Sequence, residues 1–471
     1  MSDWFFVHNP VDRLDFSFDT DQGPTDFNSV KRYAGIARPP VPDVPDRCGS
    51  SPLIAPVTGE SVPNADQLRK EVRTDSACRV EIQLISLIDA QPRVFSAFFI
   101  LLPVIFTLKP VSGLTECHFP ALFNFGDSNS DTGGLSAAFG PFPPPNGETY
   151  FGAPAGRYCD GRLILDFIAQ SIGLPYIDAY LNSIGTNFTH GANFATAAST
   201  IREPTSTLSQ GFSPFSLDVQ SWQFDQFVNR SQTAAKRGGV FKDLLPKEDY
   251  FPRALYTFDI GQNDLTAGFF SGLTEDEVIA TIPDILNKFT IVVENVYWQG
   301  GRSFWIHNTG PFGCLPYVLN RLLIKADQID PVGCATPFND VAQQFNLKLK
   351  ETVDQLRNDF PLAAFTYVDV YSAKYSLIHQ ARKYGFEHPL RACCGYGGTY
   401  NYNQQVSCGG TIVVNGTEVL VKSCQNPSTR INWDGIHYTE AANKWVLDQI
   451  VNGAFSDPPI PLKKACHREA H

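Results

Sequence analysis

Among its 471 residues the chain has little charge and none of the motifs that announce nucleotide or metal chemistry. Charged residues make up 18%, and with 37 Lys and Arg against 48 Asp and Glu the formal net charge is −11. No basic run offsets that balance, which argues against a nucleic-acid backbone or an anionic membrane surface as the main partner. There is no G-x-G-x-x-G, no phosphate-cradling G-x-x-x-x-G-K and no H-E-x-x-H, so neither a metal nor an organic cofactor is expected. The nucleophile elbow G-x-S-x-G is missing too, because Gly126-x-Ser128-x-Ser130 ends in Ser. No internal repeat occurs. Methionine is limited to Met1.

What is abundant is apolar and aromatic. Hydrophobic residues make up 43%, with 36 Phe and 17 Tyr, enough for a large core. The longest apolar run, Val94 to Leu108, lies between Arg93 and Lys109 and is followed by small residues Ser112 and Gly113. It has the build of a secretory signal and is too short and Pro-interrupted for a comfortable membrane span. A signal anchor and a buried core segment are the competing readings. Residues 1–93 carry Pro, Asp and Ser without sustained periodicity and are expected to be an extension outside the folded domain. The expected organisation is thus an extension (1–93), a signal-like segment (94–115), one domain (116–461) and a peripheral tail (462–471).

Nine of the eleven cysteines follow the apolar run, as do three N-x-S/T sequons at Asn187, Asn229 and Asn415. Both features suit an extracellular route with glycosylation at those asparagines. Cys393, Cys394, Cys408 and Cys424 are one candidate zinc set, but a CC pair lacks C-x-x-C geometry and disulfides are the better expectation. Nine is odd, so at least one thiol should be free.

From residue 119 onward, strand-like runs alternate with helix-like segments, the pattern of a parallel sheet covered by helices on both faces. Strands are expected at Ala121 to Phe125, Leu255 to Ile260, Ser303 to His307 and Ala364 to Val370, with a weaker one near Leu174 to Tyr180 or Phe194. Thr274 to Glu277 reads as a capping box opening a helix that runs to about Trp298, which Pro283 should kink or divide. Another helix is expected from about Pro337 to Phe360, and Thr439 should cap a last one burying Ala442, Val446 and Ile450.

Ligands of such sheets bind beyond the carboxyl ends of the strands, so polar clusters there carry the chemistry. Four stand out: Gly126-Asp127-Ser128-Asn129, His190-Gly191-Ala192-Asn193, Gly261-Gln262-Asn263-Asp264 and Asp434-Gly435-Ile436-His437. Ester hydrolysis by serine needs a hydroxyl, a base, a carboxylate to orient it and donors for the oxyanion. Ser128 offers the hydroxyl and one N–H. Gly191, without a Cβ, lets its N–H approach a substrate, Asn263 offers an amide, and Asp434 with His437 offers the oriented base. Taken singly, each is more often a turn or a helix cap. Their joint order and placement favour chemistry.

The blocks FGDSNSDTGG, HGANFATAAST, DIGQND and NWDGIHYTEAA, in that order, resemble the plant GDSL esterase/lipases of the SGNH hydrolase superfamily. NTGPFGCLPY and ACCGYGGTYNYN lean toward its early-nodulin-like branch, and the similarity covers about Phe119 to Pro461. The resemblance implies a three-layer α/β/α, flavodoxin-like fold with a mostly parallel sheet of about five strands. It also implies a Ser128, Asp434 and His437 triad, with Ser128, Gly191 and Asn263 forming the oxyanion hole. The expected protein is a secreted, apoplastic serine esterase or lipase acting through an acyl-enzyme. It would be monomeric, take a small-molecule or cell-wall ester as substrate, and bind no nucleic acid. An acyltransferase with the same triad, or a cell-wall or storage binding protein that leaves the site unused, are the alternatives.

Overall fold

The structure is a computed structural model that describes residues 115–204 and 211–467. The expected extension and signal-like run, through residue 114, lie outside the described residues.

The chain builds β1 (Leu122–Gly126), α1 (Gly134–Phe139), α2 (Ile164–Ser171), β2 (Gly191–Asn193), α3 (Leu217–Arg237), β3 (Leu255–Asp259), α4 (Gln262–Phe270) and α5 (Glu275–Trp298). It continues with β4 (Ser303–His307), α6 (Pro316–Arg321), α7 (Thr336–Asp359), β5 (Ala364–Val368), α8 (Val370–His379), β6 (Thr411–Val414), β7 (Thr417–Leu420), α9 (Glu440–Ile450) and β8 (Ser456–Asp457). Six strands form one sheet in the order β2-β1-β3-β4-β5-β8, parallel except for β8, and β6 and β7 form a separate hairpin. Helices α3, α5 and α7 pack together as one layer, while α9 packs with α2 and α8 in another. This is the three-layer α/β/α arrangement expected from the alternating pattern.

Strands covered on both faces read as near-continuous apolar runs, and β1, β3 and β4 are buried at every position. Phenylalanines stack from strand to strand: Phe125 on Phe258 with centroids 4.9 Å apart, and Phe304 on Phe365 at 4.6 Å. Each such pair adds about 0.5–1.5 kcal/mol beyond its buried area. On α9, Ala442, Val446 and Ile450 are fully buried, and the Thr439 hydroxyl accepts from Ala442 N. The capping box at Thr274 forms: Thr274 N donates to Glu277 Oε2 at 2.8 Å, and Glu277 N returns a bond to Thr274 Oγ1. Pro283 does not divide α5, which runs unbroken to Trp298.

Three segments differ from expectation. The weak strand is Gly191–Asn193, just before Phe194, while the alternative at 174–180 reaches the sheet only by a bridge from Ala179 to Asn193. The sixth strand and the hairpin are short or solvent-facing and lack a buried apolar run. The tail is not peripheral: Leu462 and Ala465 are fully buried, and Cys466 is bonded to Cys117, 349 residues away. The other disulfides are Cys314–Cys334, Cys393–Cys424 and Cys394–Cys408, and Cys159 is the free thiol among the described residues.

Because β1 sits between β2 and β3 and all three are parallel, the loops leaving their carboxyl ends emerge side by side. The chain crosses to one side of β1 and then to the other, which makes this the switch point where α/β sheets open a crevice.

Candidate active site

Ser128 begins two residues beyond β1 and is 7% exposed. The turn that carries it is held from below. Asp127 N donates to Asp259 O at the end of β3, and Asp127 Oδ1 accepts from both the backbone N and the Nδ2 of Asn129, each at 2.9 Å. Gly126 allows no side chain here, since a Cβ would lie 2.3 Å from Ser130 Oγ and 2.6 Å from Asp259 O. Gln220 of α3 brackets the same glycine, accepting from its N–H and donating to its C=O. Ser130 takes a structural part, its hydroxyl accepting from Asn124 Nδ2 and its carbonyl from Asn193 Nδ2.

The loop after β2 is sewn onto this turn. Thr196 N donates to Gly126 O, and Ala197 N donates to Asp131 Oδ2 at 2.8 Å, while Asp131 Oδ1 accepts from Gly133 and Gly134. Ala198 follows directly with φ +61°, the left-handed region that costs a residue with a Cβ about 1–2 kcal/mol. Among the described residues no hydrogen bond occupies the N–H of Ser128 or of Ala198. Asn263, at the start of α4 beyond β3, donates one Nδ2 hydrogen to Ser199 O at 2.9 Å, which leaves the other free. Asp264 does not cap its own helix with its side chain; it accepts from Ile201 N and Arg202 N and ties α4 to the same loop. Burial pushes the Asp264 carboxyl up to about 6, against the pull of those N–H groups and of Arg202.

Gly191 is elsewhere. It is the first residue of β2, paired with Leu122 at the opposite end of β1 from Ser128, and its N–H is spent on Phe188 O at 3.0 Å. The absent Cβ serves the strand pairing, because one built there would fall 1.8 Å from Leu122 O. The residues bonded to the Ser128 turn are Thr196 and Ala197, and the small residue that follows them is Ala198. In the sequence its only signal is the small-residue run ATAAST, and nothing marks an alanine for a left-handed conformation.

Asp434 and His437 come from the loop before α9. His437 Nδ1 lies 2.6 Å from Asp434 Oδ2, and Asp434 Oδ1 accepts from Ile436 N and His437 N, each at 2.9 Å. Burial raises the Asp434 carboxyl, but the imidazole and those N–H bonds outweigh it and hold the group below the usual carboxylate range. With Nδ1–H donated to a carboxylate, Nε2 is the basic nitrogen, and it is buried without a hydrogen-bond partner. Tyr158 packs against the ring at 5.1 Å and, with Leu135 and Ala197, walls this side of the site. His437 acts electrostatically on Asp127, beside Ser128. No hydrogen bond joins Ser128 Oγ to His437 Nε2, and such bonds are commonly loose without substrate.

Beneath the Ser128 turn lies a buried charge cluster that the motifs do not reveal. Trp305 Nε1 donates to His307 Nε2 at 3.1 Å, which fixes the proton on Nδ1, 3.2 Å from Asp259 Oδ2. Burial raises Asp259, but His307 and then Lys374 together bring it below its ordinary value. Asp127 is the carboxyl of the pair that is raised: burial, then the Asp259 charge, push it up to about 7. Burial in turn lowers Lys374, which is 3% exposed, against the pull of both carboxylates.

The switch-point crevice and the loops ordered above it are those of a three-layer α/β/α protein with its polar clusters gathered beyond the strand ends. The GDSL-like Lipase/Acylhydrolase family matches over residues 122–450, and the chain belongs to that family of ester-bond hydrolases. It is similar to a GDSL esterase/lipase ACHE of Zea mays, 62% identical over 75% of this chain and 90% of that one. It is 55% identical to a GDSL esterase/lipase ENOD8 of Medicago truncatula, covering 76% of this chain and 93% of that one. An Alpha-L-fucosidase 3 of Arabidopsis thaliana is 56% identical over 78% of this chain and 97% of that one.

Proposed function

We propose that this ester hydrolase works through Ser128, His437 and Asp434 and an acyl-enzyme intermediate. His437 Nε2 takes the proton of Ser128 Oγ as that oxygen bonds to the ester carbonyl carbon. Asp434 holds the tautomer and stabilises the imidazolium that forms. The tetrahedral oxyanion is received by Ser128 N–H, Ala198 N–H and Asn263 Nδ2–H, with Ala198 taking the role expected of Gly191. The imidazolium then protonates the leaving alkoxide, and water repeats the sequence on the acyl-enzyme. The observation that carries this reading is the orientation of His437: Nδ1 fixed on Asp434 at 2.6 Å and Nε2 buried with no partner.

Hydrolysis is favoured over the acyltransferase and unused-site alternatives by the family of ester hydrolases to which the chain belongs. Secretion into the apoplast, cleavage of the signal-like segment and glycosylation belong to the same reading. Asn187, Asn229 and Asn415 are all exposed, Asn415 at the tip of the β6–β7 turn. No described helix is long and apolar enough to cross a membrane. The substrate is an ester of a small molecule or of the cell wall, met by a single copy of the enzyme.

The test is labelling of purified protein by a fluorophosphonate together with turnover of short p-nitrophenyl esters. Wild type should label once and Ser128→Ala not at all. Asn263→Ala should fold and lose about 100-fold to 1000-fold in turnover. A Ser128→Ala protein with full activity would remove the assignment.

A further inference from the structure

Behind the loop that carries Asp434 and His437 lies a cavity of about 380 Å³ that the esterase reading does not use. Its wall is formed by residues 388–401 and 422–430. The two stretches are joined by the Cys393–Cys424 disulfide, and Cys424 N also donates to Cys393 Sγ at 3.3 Å. The wall is bonded to the catalytic loop as well, Cys393 N to Asn432 O at 2.9 Å and Cys394 N to Trp433 O at 2.6 Å.

The lining is cationic in a chain whose formal net charge is −11. Arg391, Lys422 and Arg430 face the cavity with His388, and none of the lining residues is acidic. Among the described residues none of these four has an ion-pair partner. Arg430 is the most telling, because its Nη1 is buried without any hydrogen-bond partner. A buried guanidinium nitrogen left unpaired is costly, and the cost is removed by an anion that accepts from it.

The backbone around the cavity is also held in unfavourable conformations. Two lining residues, His388 at φ +47° and Asn401 at φ +51°, sit in the left-handed region. Asn401 is fastened there by its Nδ2 bond to Ala392 O at 2.9 Å. Ala198 is another such residue, and in our reading it belongs to the oxyanion hole. Conformations of this kind gather at ligand sites.

We infer that this cavity is a second, non-catalytic binding site for a compact, hydrophilic anion, a carboxylate or phosphate carried on a group about the size of one sugar ring. The size fits, since small-ligand sites begin at about 300 Å³. The lining carries no Phe, Tyr, Trp, Leu, Ile, Val or Met, so it does not suit a fatty acyl chain. Planar guanidinium groups, by contrast, match carboxylate and phosphate oxygens in pairs.

The experiment titrates the whole protein by calorimetry with trigalacturonate, with inorganic phosphate and with neutral xylotriose. At least one of the two anions should bind, more weakly as salt is raised, and xylotriose should not. Binding of trigalacturonate alone identifies a polymer carboxylate as the ligand, and binding of phosphate identifies a free anion. Arg430→Gln should lower the affinity by about 10-fold to 100-fold, the loss expected for a hydrogen bond to a charged group. The pair Arg391→Gln and Lys422→Gln alters exposed side chains only, so it should fold normally, lose anion affinity and keep turnover of p-nitrophenyl acetate. Failure of both anions to bind, equal binding of xylotriose, or unchanged affinity in these variants would each overturn the inference.

Discussion

The carboxyl of Asp127 should make the stability of this protein depend on pH in a direction opposite to that of an ordinary salt-bridged acid. Its ordinary value of 3.8 is raised to about 7 by burial and by the neighbouring Asp259. Between those values the folded state keeps a proton that the unfolded chain releases, so stability falls as pH rises through the window and levels off above it. A shift of about three units corresponds to about 4 kcal/mol at most. Asp127→Asn replaces the titrating group by a neutral one of the same shape, and its Oδ1 can still accept both bonds from Asn129. For roughly 350 ordered residues, at about 2 cal/mol/K of unfolding entropy each, 4 kcal/mol is on the order of 5 °C in Tm. Scanning calorimetry of both proteins between pH 4 and pH 8 should show the variant gaining about that much on wild type as pH rises. A difference in Tm that stays constant, or that shrinks toward pH 8, would refute the assignment of the buried proton to Asp127.

Other substitutions separate fold from chemistry. Gly191→Ala should lower Tm steeply, by the equivalent of about 3 kcal/mol or more, because its Cβ meets the Leu122 carbonyl; a drop in kcat with Tm unchanged would return Gly191 to the site. Ala198→Gly keeps the N–H and relieves the left-handed alanine, so esterase kcat should hold while Tm stays level or rises by the equivalent of up to about 1 kcal/mol. Asp434→Asn should fold but lose about 10⁴-fold in kcat on p-nitrophenyl esters, since an amide facing Nδ1 favours the wrong tautomer.

The parallel core was legible because its strands are buried on both faces and therefore mostly apolar, as in LFNFG and LYTFD. Helices α5 and α9 were legible from Thr274 and Thr439, whose side chains make the capping bonds their positions suggested. The second strand was hidden because three residues, GAN, show no period. The β6–β7 hairpin was hidden because it is largely exposed and has no apolar face to betray it. Cysteine parity indicated an unpaired thiol, but the partners depend on which loops meet in space, and no spacing rule joins Cys117 to Cys466.

The oxyanion donors show most clearly where a linear reading stops. A glycine is expected wherever backbone must approach a ligand, and that reasoning selects Gly191, yet its missing Cβ is required by the carbonyl of Leu122 on the neighbouring strand. The loop bonded to the turn around Ser128 runs through Ala198, where an alanine is held at φ +61° by bonds on either side: Thr196 N to Gly126 O, Ala197 N to Asp131, and Ser199 O to Asn263. Those bonds offset the cost of the conformation, about 1–2 kcal/mol, so glycine is not needed there. In our reading, the donor is specified by the polar residues that pin its loop, Asp131, Asn263 and Asp264, and their acids and amide are what the sequence blocks carry.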